Sequence, residues 1–401
     1  MTMKLIRNTL TAILSMIMLI CCSCGADTLD VPEVPPQDNT GGDAKEAVNM
    51  WGIDMTVLEV GGKHYAVWSG WDDYYYNKEG NGQYLYIAEM TFHDEKPLVR
   101  LGQRVLLAKP ELPWELKINE HISLVEGPTA LYHDDDIFII YSTRGSWTDN
   151  YKMGQLKLKD RTNPLDPESW EKKKVPVFQG LKAVDNAGYI VRGVGHASFT
   201  KSPDDTEYWV NYHSKTSAEP GWNDRKVFFQ KFTFDENGDP YFGKPANPAL
   251  PMERPSGEIE IEKSDGVENP SEVFSNPVRE GADPWIIKHD GKYYTCRSID
   301  RGIWVTESRF ISKFEGGKTW EESRKKVWSN PEISTDKWNI RQAWAPEMHY
   351  IDGKWYIFYA AGKQTEAPYW EHRAGVLVSS DGPFGPYVEH DDKPLFTGEY
   401  K

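Results

Sequence analysis

Four cysteines stand among 401 residues, and three of them fall between positions 21 and 24. Cys296 is then the one thiol left in the body of the chain, so no disulfide framework can hold it together. Runs of lysine or arginine long enough to offset a formal charge of -15 are missing, so a phosphate backbone would be repelled and nucleic acid is not expected as a partner. Acidity of this kind also simply keeps a protein in solution. After Ile20 there is no long apolar run, and no long stretch carries apolar residues at a 3.6-residue period. These absences exclude a helical bundle and a bundle of membrane-spanning helices.

The one apolar run lies at the start. Lys4 and Arg7 precede a nearly uninterrupted nonpolar stretch from Leu10 to Ile20 that ends in "CCSC". This is a signal-peptide pattern, too short to span a bilayer. A small residue before a cysteine at the end of such a run resembles a bacterial lipoprotein signal, with Cys24 after Ser23 as the best lipidation site and Cys21 or Cys22 as alternatives. An ordinary cleaved signal peptide is the competing reading. The expectation is a signal over residues 1–24 and export to the cell envelope on a lipid anchor. A tether without hydrophobic periodicity, "GADTLDVPEVPPQDNTGGDAKEAV", is expected to occupy residues 25–49.

What the chain has in quantity is rings: 16 Trp, 21 Tyr and 15 Phe, with a mean hydropathy of -0.63. Such side chains favour strands and stack on flat apolar faces of ligands. From residue 50 one grammar recurs five times: an apolar strand, a tight turn, an aromatic strand, then two more strands. The copies begin at "GIDMTVLEVGGKHYAVWSGW", "EGPTALYHDDDIFIIYSTRGSW", "GHASFTKSPDDTEYWVNYHSK", "GADPWIIKHDGKYYTCRS" and "WAPEMHYIDGKWYIFYAAG". Gly61-Gly62, Asp290-Gly291 and Asp352-Gly353 are hairpin turns, while Asp134-Asp135 and Pro203-Asp204 hold the same place with weaker turn chemistry. "QYLYIAEM" and "RVLLAKP" read as third and fourth strands of the first copy, and "GIWVTES" and "KKVWS" as those of the fourth. Four antiparallel strands repeated five times predict an all-β, five-bladed propeller over residues 50–401. A flat β-sandwich would not explain why the repeats start alike.

In a propeller the first strand of each blade is innermost, so the strand starts converge at one end of the central channel. Asp54, Glu126, His196, Asp283 and the segment Trp344-Ala345-Pro346-Glu347 occupy those starts. Three carboxylates and a histidine would face one cavity, although an inward strand start could be Ser or Thr at lower cost.

On these motifs, together with "GSWTDNY", the chain resembles glycoside hydrolase family 43, five-bladed propellers that include α-L-arabinofuranosidases, arabinanases and β-xylosidases. The resemblance spans roughly residues 50–400. The blade order is rotated: family members usually begin with the "DP" blade, whereas here the "ID" blade comes first and the "WAPE" blade last. A circular permutation accounts for a complete set with none repeated; a fragment of tandem domains or a gene-model artefact is the alternative.

The resemblance implies an inverting mechanism, which needs a protonated carboxyl and an ionised one on opposite faces of the bond, roughly 6.5–9.5 Å apart. It assigns Asp283 as general base, Glu126 as general acid and Asp54 as the carboxylate that orients Glu126 and keeps it protonated by like-charge repulsion. His196 matches a channel histidine that sits beside a structural calcium ion in relatives, with a satisfied buried histidine as the other reading, since imidazole is a poor calcium ligand. No cofactor is expected to be required. Arg225 matches an arginine that reaches the site. Glu347 receives no catalytic role, because relatives carry Asp there. Trp344 and Trp285 are candidate sugar platforms. The implied function is removal of α-L-arabinofuranosyl residues from plant arabinan or arabinoxylan. A β-xylosidase or a catalytically silent carbohydrate-binding propeller would use the same scaffold.

Overall fold

Tight turns set the registers of the sheets. Gly61 and Gly62, at φ 60° and 75°, close the hairpin between Gly52–Val60 and Lys63–Trp71. Asp290-Gly291 and Asp352-Gly353 do the same, with φ of 49° and 71° and of 48° and 80°. Both central residues must be left-handed for the twist of the turn to match that of the strands. At the weaker turns a single aspartate, Asp134 or Asp205, takes the positive φ.

The computed structural model describes residues 48–72, 82–118, 122–182, 188–219, 221–313, 323–364 and 369–399. The expected signal peptide, Cys24 and all but the end of the expected tether lie outside them. The described residues fall within one compact unit, Ala47–Lys401, built from five antiparallel blade sheets and one two-stranded sheet. Blade 1 runs Gly52–Val60, Lys63–Trp71, Gln83–Phe92 and Val99–Leu101. Blade 2 has Val125–His133, Asp136–Thr143 and Lys152–Leu158 as its inner three strands. Blade 3 has Arg192–Lys201, Tyr208–Lys215 and Arg225–Phe234. Blade 4 runs Ile287–His289, Lys292–Ile299, Gly302–Ser308 and Arg324–Ser329, and blade 5 Arg341–Ile351, Lys354–Gly362, Arg373–Ser379 and Val388–Glu389.

The fourth strand is less regular than the sequence suggests. In blade 1 the segment read as fourth strand, Val105–Ala108, is only one of two pieces paired with Gln83–Phe92. Blades 2 and 3 likewise complete their outer edge with two short pieces each. Between the two pieces of blade 3 lies an excursion with a two-stranded sheet and the short helix Glu258–Ser264. Split outer strands leave no long flat edge open to pairing with another chain.

Five hydrophobic clusters fill the five gaps between blades, which makes the arrangement a closed ring. Met55, Trp68 and Tyr86 meet Tyr356, Phe358 and Val376 across the joint of blades 1 and 5. Corresponding clusters join blades 1 and 2, 2 and 3, 3 and 4, and 4 and 5. Among the described residues no strand is shared across the closing joint. Instead Asn49 donates to the carbonyl of Leu395 at 2.8 Å and accepts from the Thr397 amide at 2.8 Å, while the Thr397 hydroxyl donates to the Met50 carbonyl at 2.7 Å. Thr397 is 1% exposed, so water cannot replace these partners.

Replacing Asn49 with alanine strands a buried amide and a carbonyl, and is expected to lower stability by about 2 kcal/mol. Urea unfolding of Asn49→Ala against the parent measures it. A loss below about 0.5 kcal/mol would show that the clusters alone close the ring.

Candidate active site

Each inner strand breaks its ladder near its start. Register shifts fall between Ile53 and Thr56, Glu126 and Thr129, Gly195 and Ser198, and Trp344 and Glu347, while blade 4 pairs only from Ile287 onward. One residue in each break is left-handed: Asp54 at φ 53°, Gly127 at 53°, His196 at 50°, Asp283 at 47° and Ala345 at 40°. For a residue other than glycine this conformation costs about 1–3 kcal/mol, and it persists where surrounding structure enforces it. These five positions are the structural equivalents. Glu126 stands one residue before its blade's equivalent position, which is Gly127. A Cβ on Gly127 would lie 3.1 Å from His196 Nδ1 and crowd that ring, and the Gly127 amide donates to Asp54 Oδ2 at 3.1 Å. Blades 1, 2, 3 and 4 are thereby linked through Asp54, Gly127, His196 and Asp283.

Asp283 sits among positive and polar groups. Arg225 Nη1 donates to its Oδ1 at 3.1 Å, and His196 Nδ1 lies 3.3 Å from the same oxygen. The Asp283 amide donates to His213 Nδ1 at 3.2 Å, which fixes His213 with that nitrogen unprotonated. Burial works to raise the Asp283 carboxyl, but Arg225, followed by His196 and His213, outweighs it and holds the group below its ordinary value. Burial lowers both imidazoles in turn, so near neutral pH the lasting charge beside Asp283 is Arg225.

Glu126 has the opposite environment. Burial pushes it up to about 7, against the Tyr151 hydroxyl and Gln83, whose Nε2 donates to Glu126 Oε2 at 3.0 Å, while the negative charge of Asp283 raises it further. Gln83 is itself held by Ser69, 2.9 Å away. Asp54 is also raised well above its usual value, by burial first and then by Glu126 and Asp283. Burial is therefore the leading cause at Glu126. Glu126 raises Asp54 by like-charge repulsion, and Asp54 also accepts from the Gly127 amide beside Glu126.

The remaining expected residues divide. Arg225, Asp283 and Trp344 line one cavity of about 280 Å³, and Trp344 stacks on His372 with ring centroids 3.8 Å apart. Trp285 does not face it: the ring belongs to the cluster between blades 4 and 5 and its Nε1 donates to the Met348 carbonyl at 2.7 Å. Glu347 is buried next to Asp54, and burial raises it well above the usual carboxylate range. Calcium requires six to eight oxygen donors. The His196 ring is directed at a carboxylate already paired with Arg225, and among the described residues no three His, Cys, Asp or Glu side chains gather at metal-binding spacing. These side chains do not form a calcium cage.

Sequence reasoning missed His213, Gln83, Tyr151 and Trp222. His213 pairs with Gly195 across a hairpin whose turn was recognised, so counting back from that turn reaches it. Gln83 pairs with Trp71 and carries no local signal. Trp222 is 43% exposed, lies edge-on to Trp147, and its carbonyl accepts from Arg225 Nε at 3.1 Å.

A propeller whose inner-strand starts bring together buried carboxyls of divergent proton affinity has the form of a glycoside hydrolase. Residues 39–240 and 274–399 match Glycosyl hydrolases family 43, and the chain belongs to that family. It is similar to Alpha-L-arabinofuranosidase B of Pyricularia oryzae, with 32% identity over 202 residues covering 49% of this chain and 38% of that protein. It is also similar to an Extracellular exo-alpha-(1->5)-L-arabinofuranosidase of Streptomyces avermitilis, 31% identical over 208 residues, 49% of this chain and 39% of that one. The matches thus span about two fifths of these relatives' length. The fold is that of an Exo-1,5-alpha-L-arabinanase from a bovine ruminal metagenomic library, with TM-score 0.51, 16% identity, and coverage of 87% of this chain and 99% of that one.

Because Glu126 titrates near 7 when folded and near 4.5 ordinarily, the folded protein keeps a proton that the unfolded chain releases. Its stabilising contribution is complete below about pH 4.5 and is lost as pH rises through 7, about 3 kcal/mol in all. Glu126→Gln is expected to flatten the decline in stability between pH 5 and pH 8, measured by denaturant unfolding. An unchanged slope would contradict the raised affinity.

Proposed function

We propose that the protein is an inverting glycoside hydrolase that removes α-L-arabinofuranosyl residues from plant arabinan or arabinoxylan. The observation that carries this reading is the contrast between Asp283, held ionised by Arg225, and Glu126, pushed up to about 7. Two carboxyls driven apart in this way supply a base and an acid at the same pH. Asp283 takes a proton from water as its oxygen attacks the anomeric carbon. Glu126 gives its proton to the departing glycosidic oxygen, and the sugar leaves with inverted configuration. Asp54 fixes the backbone next to Glu126 through Gly127. Trp344 at the cavity wall offers an aromatic face to the sugar. The arabinose assignment draws on the activities for which the Pyricularia and Streptomyces relatives are named.

The decisive measurement is NMR of the product anomers released from an aryl α-L-arabinofuranoside. Inversion is expected, with Glu126→Gln slowing hydrolysis of a natural arabinan at least a hundredfold while sparing substrates with good leaving groups. Retention of configuration would overturn the mechanism. Cleavage of an aryl β-D-xyloside alone would move the substrate to xylosides, and sugar binding without turnover would make the propeller a binding module.

We also propose export on a lipid anchor at Cys24 and a circularly permuted blade order. The Streptomyces avermitilis relative is named extracellular, and a ring closed by Asn49 and Thr397 brings the two ends of the fold together. Cys24→Ser is expected to shift the protein from the membrane to the soluble fraction of the cells that express it. Unchanged partitioning would exclude that anchor.

A further inference from the structure

The loops that follow the second strands of blades 2 and 3 lie at the catalytic end of the ring. Antiparallel pairing sets Thr143 opposite Val125 and Lys215 opposite Arg192, so residues 144–151 and 216–224 begin level with the strand starts that carry Glu126 and His196. Each loop is tied to one half of the acid–base pair. In the first, the Tyr151 hydroxyl is one of the groups that act on Glu126. In the second, the Trp222 carbonyl accepts from Arg225 Nε at 3.1 Å, and Arg225 Nη1 donates to Asp283.

Two tryptophans join these loops. Trp147 and Trp222 meet edge-on with ring centroids 5.4 Å apart, and Trp222 Nε1 donates to Ser146 Oγ at 3.2 Å. The Gly221 amide and Lys215 Nζ both donate to the Trp147 carbonyl, at 3.1 Å and 3.3 Å. Gly145 makes room for the pair, since a Cβ there would collide with the Trp147 ring. Trp222 is nevertheless the one exposed tryptophan among the described residues. Single exposed apolar residues are ordinary on a surface, but this ring is braced from two loops and stands one residue contact from the group that holds Asp283. Its N–H is already used. A fixed aromatic ring with no polar group to spare offers its face to the CH surface of a sugar and gives up little freedom when one binds.

The chemistry decides which sugar. In an inverting reaction the base lies across the anomeric carbon from the bond that breaks, and the leaving oxygen is on the side of the acid. Trp344 stands beyond Asp283, on blade 5, and lines the cavity that holds that carboxylate. The Trp147–Trp222 pair stands on blades 2 and 3, and Trp147 shares its loop with Tyr151, beside Glu126.

We propose that Trp222, braced by Trp147, is the platform for the leaving part of the glycan, the main-chain sugar from which the arabinosyl residue is cut. The inference rests on the glycoside hydrolase reading above and deepens it: the main chain, and not the released sugar alone, then determines which polysaccharide is accepted.

Kinetics of full-chain variants test it. The two substrates are methyl α-L-arabinofuranoside, whose leaving group is too small to cover an indole ring, and whichever of a branched arabinoxylo-oligosaccharide and a linear arabino-oligosaccharide is turned over faster. Trp222→Ala is expected to lower kcat/KM about tenfold more on the oligosaccharide than on the methyl glycoside, through KM rather than kcat, and Trp222→Phe is expected to restore most of it. Equal losses on both substrates, or a loss confined to kcat, would make Trp222 part of the scaffold and overturn the proposal. Calorimetry with xylotetraose and linear arabinotetraose needs no turnover, and at least one of them is expected to bind the parent and to bind Trp222→Ala more weakly. Binding of neither, or binding indifferent to Trp222, would overturn the platform even if arabinofuranosides are hydrolysed. Binding that depends on Trp222 in a protein hydrolysing no glycoside would sustain it while the enzymatic reading fails.

Discussion

The whole site depends on one backbone constraint, repeated around the ring: near its start each inner strand leaves its ladder unpaired and passes at least one residue through the left-handed region. A regular strand alternates its side chains between the two faces of its blade. A bulge with positive φ bends the strand and re-aims a side chain. Asp54, His196 and Asp283 hold this conformation despite having a Cβ, and each is fixed by contacts from a neighbouring blade. Backbone strain is stored where it places chemistry, and the interblade cores hold it there.

The electrostatic division follows from what each blade brings to the mouth. Blade 3 delivers His196, His213 and Arg225 to one carboxylate, and blade 4 supplies that carboxylate as Asp283. Blades 1 and 2 supply Asp54, Gln83, Glu126 and Tyr151, a set with carboxyls and no cation. Burial acts on both halves alike, and the single arginine decides which carboxyl stays charged. Proton affinity is thus assigned by blade rather than by residue type.

Much of this was legible in the chain. Hairpin turns at Gly61-Gly62, Asp290-Gly291 and Asp352-Gly353 gave away the repeat, because φ requirements at tight turns select few residues. Asp54, Glu126 and Asp283 were legible because charge at an inward strand start has no local reason. The outer strands were harder to read, since short split pieces carry little periodicity. Trp285 and Trp344 looked alike as aromatic neighbours of motif residues. Only packing separates them, one facing the blade 4–5 core and the other the cavity. Gln83 and Tyr151 reach Glu126 through tertiary geometry that no short window encodes.

The seam between Asn49 and Thr397 bears on how such a ring is made. Every blade is completed by its own contiguous stretch of chain, so each sheet can form in order as the polypeptide leaves the ribosome or a translocation pore. The last joint alone must wait for residues about 350 positions apart to arrive together. Until then Asp54 of blade 1 lacks the wall that blade 5 provides, with the buried Glu347 beside it.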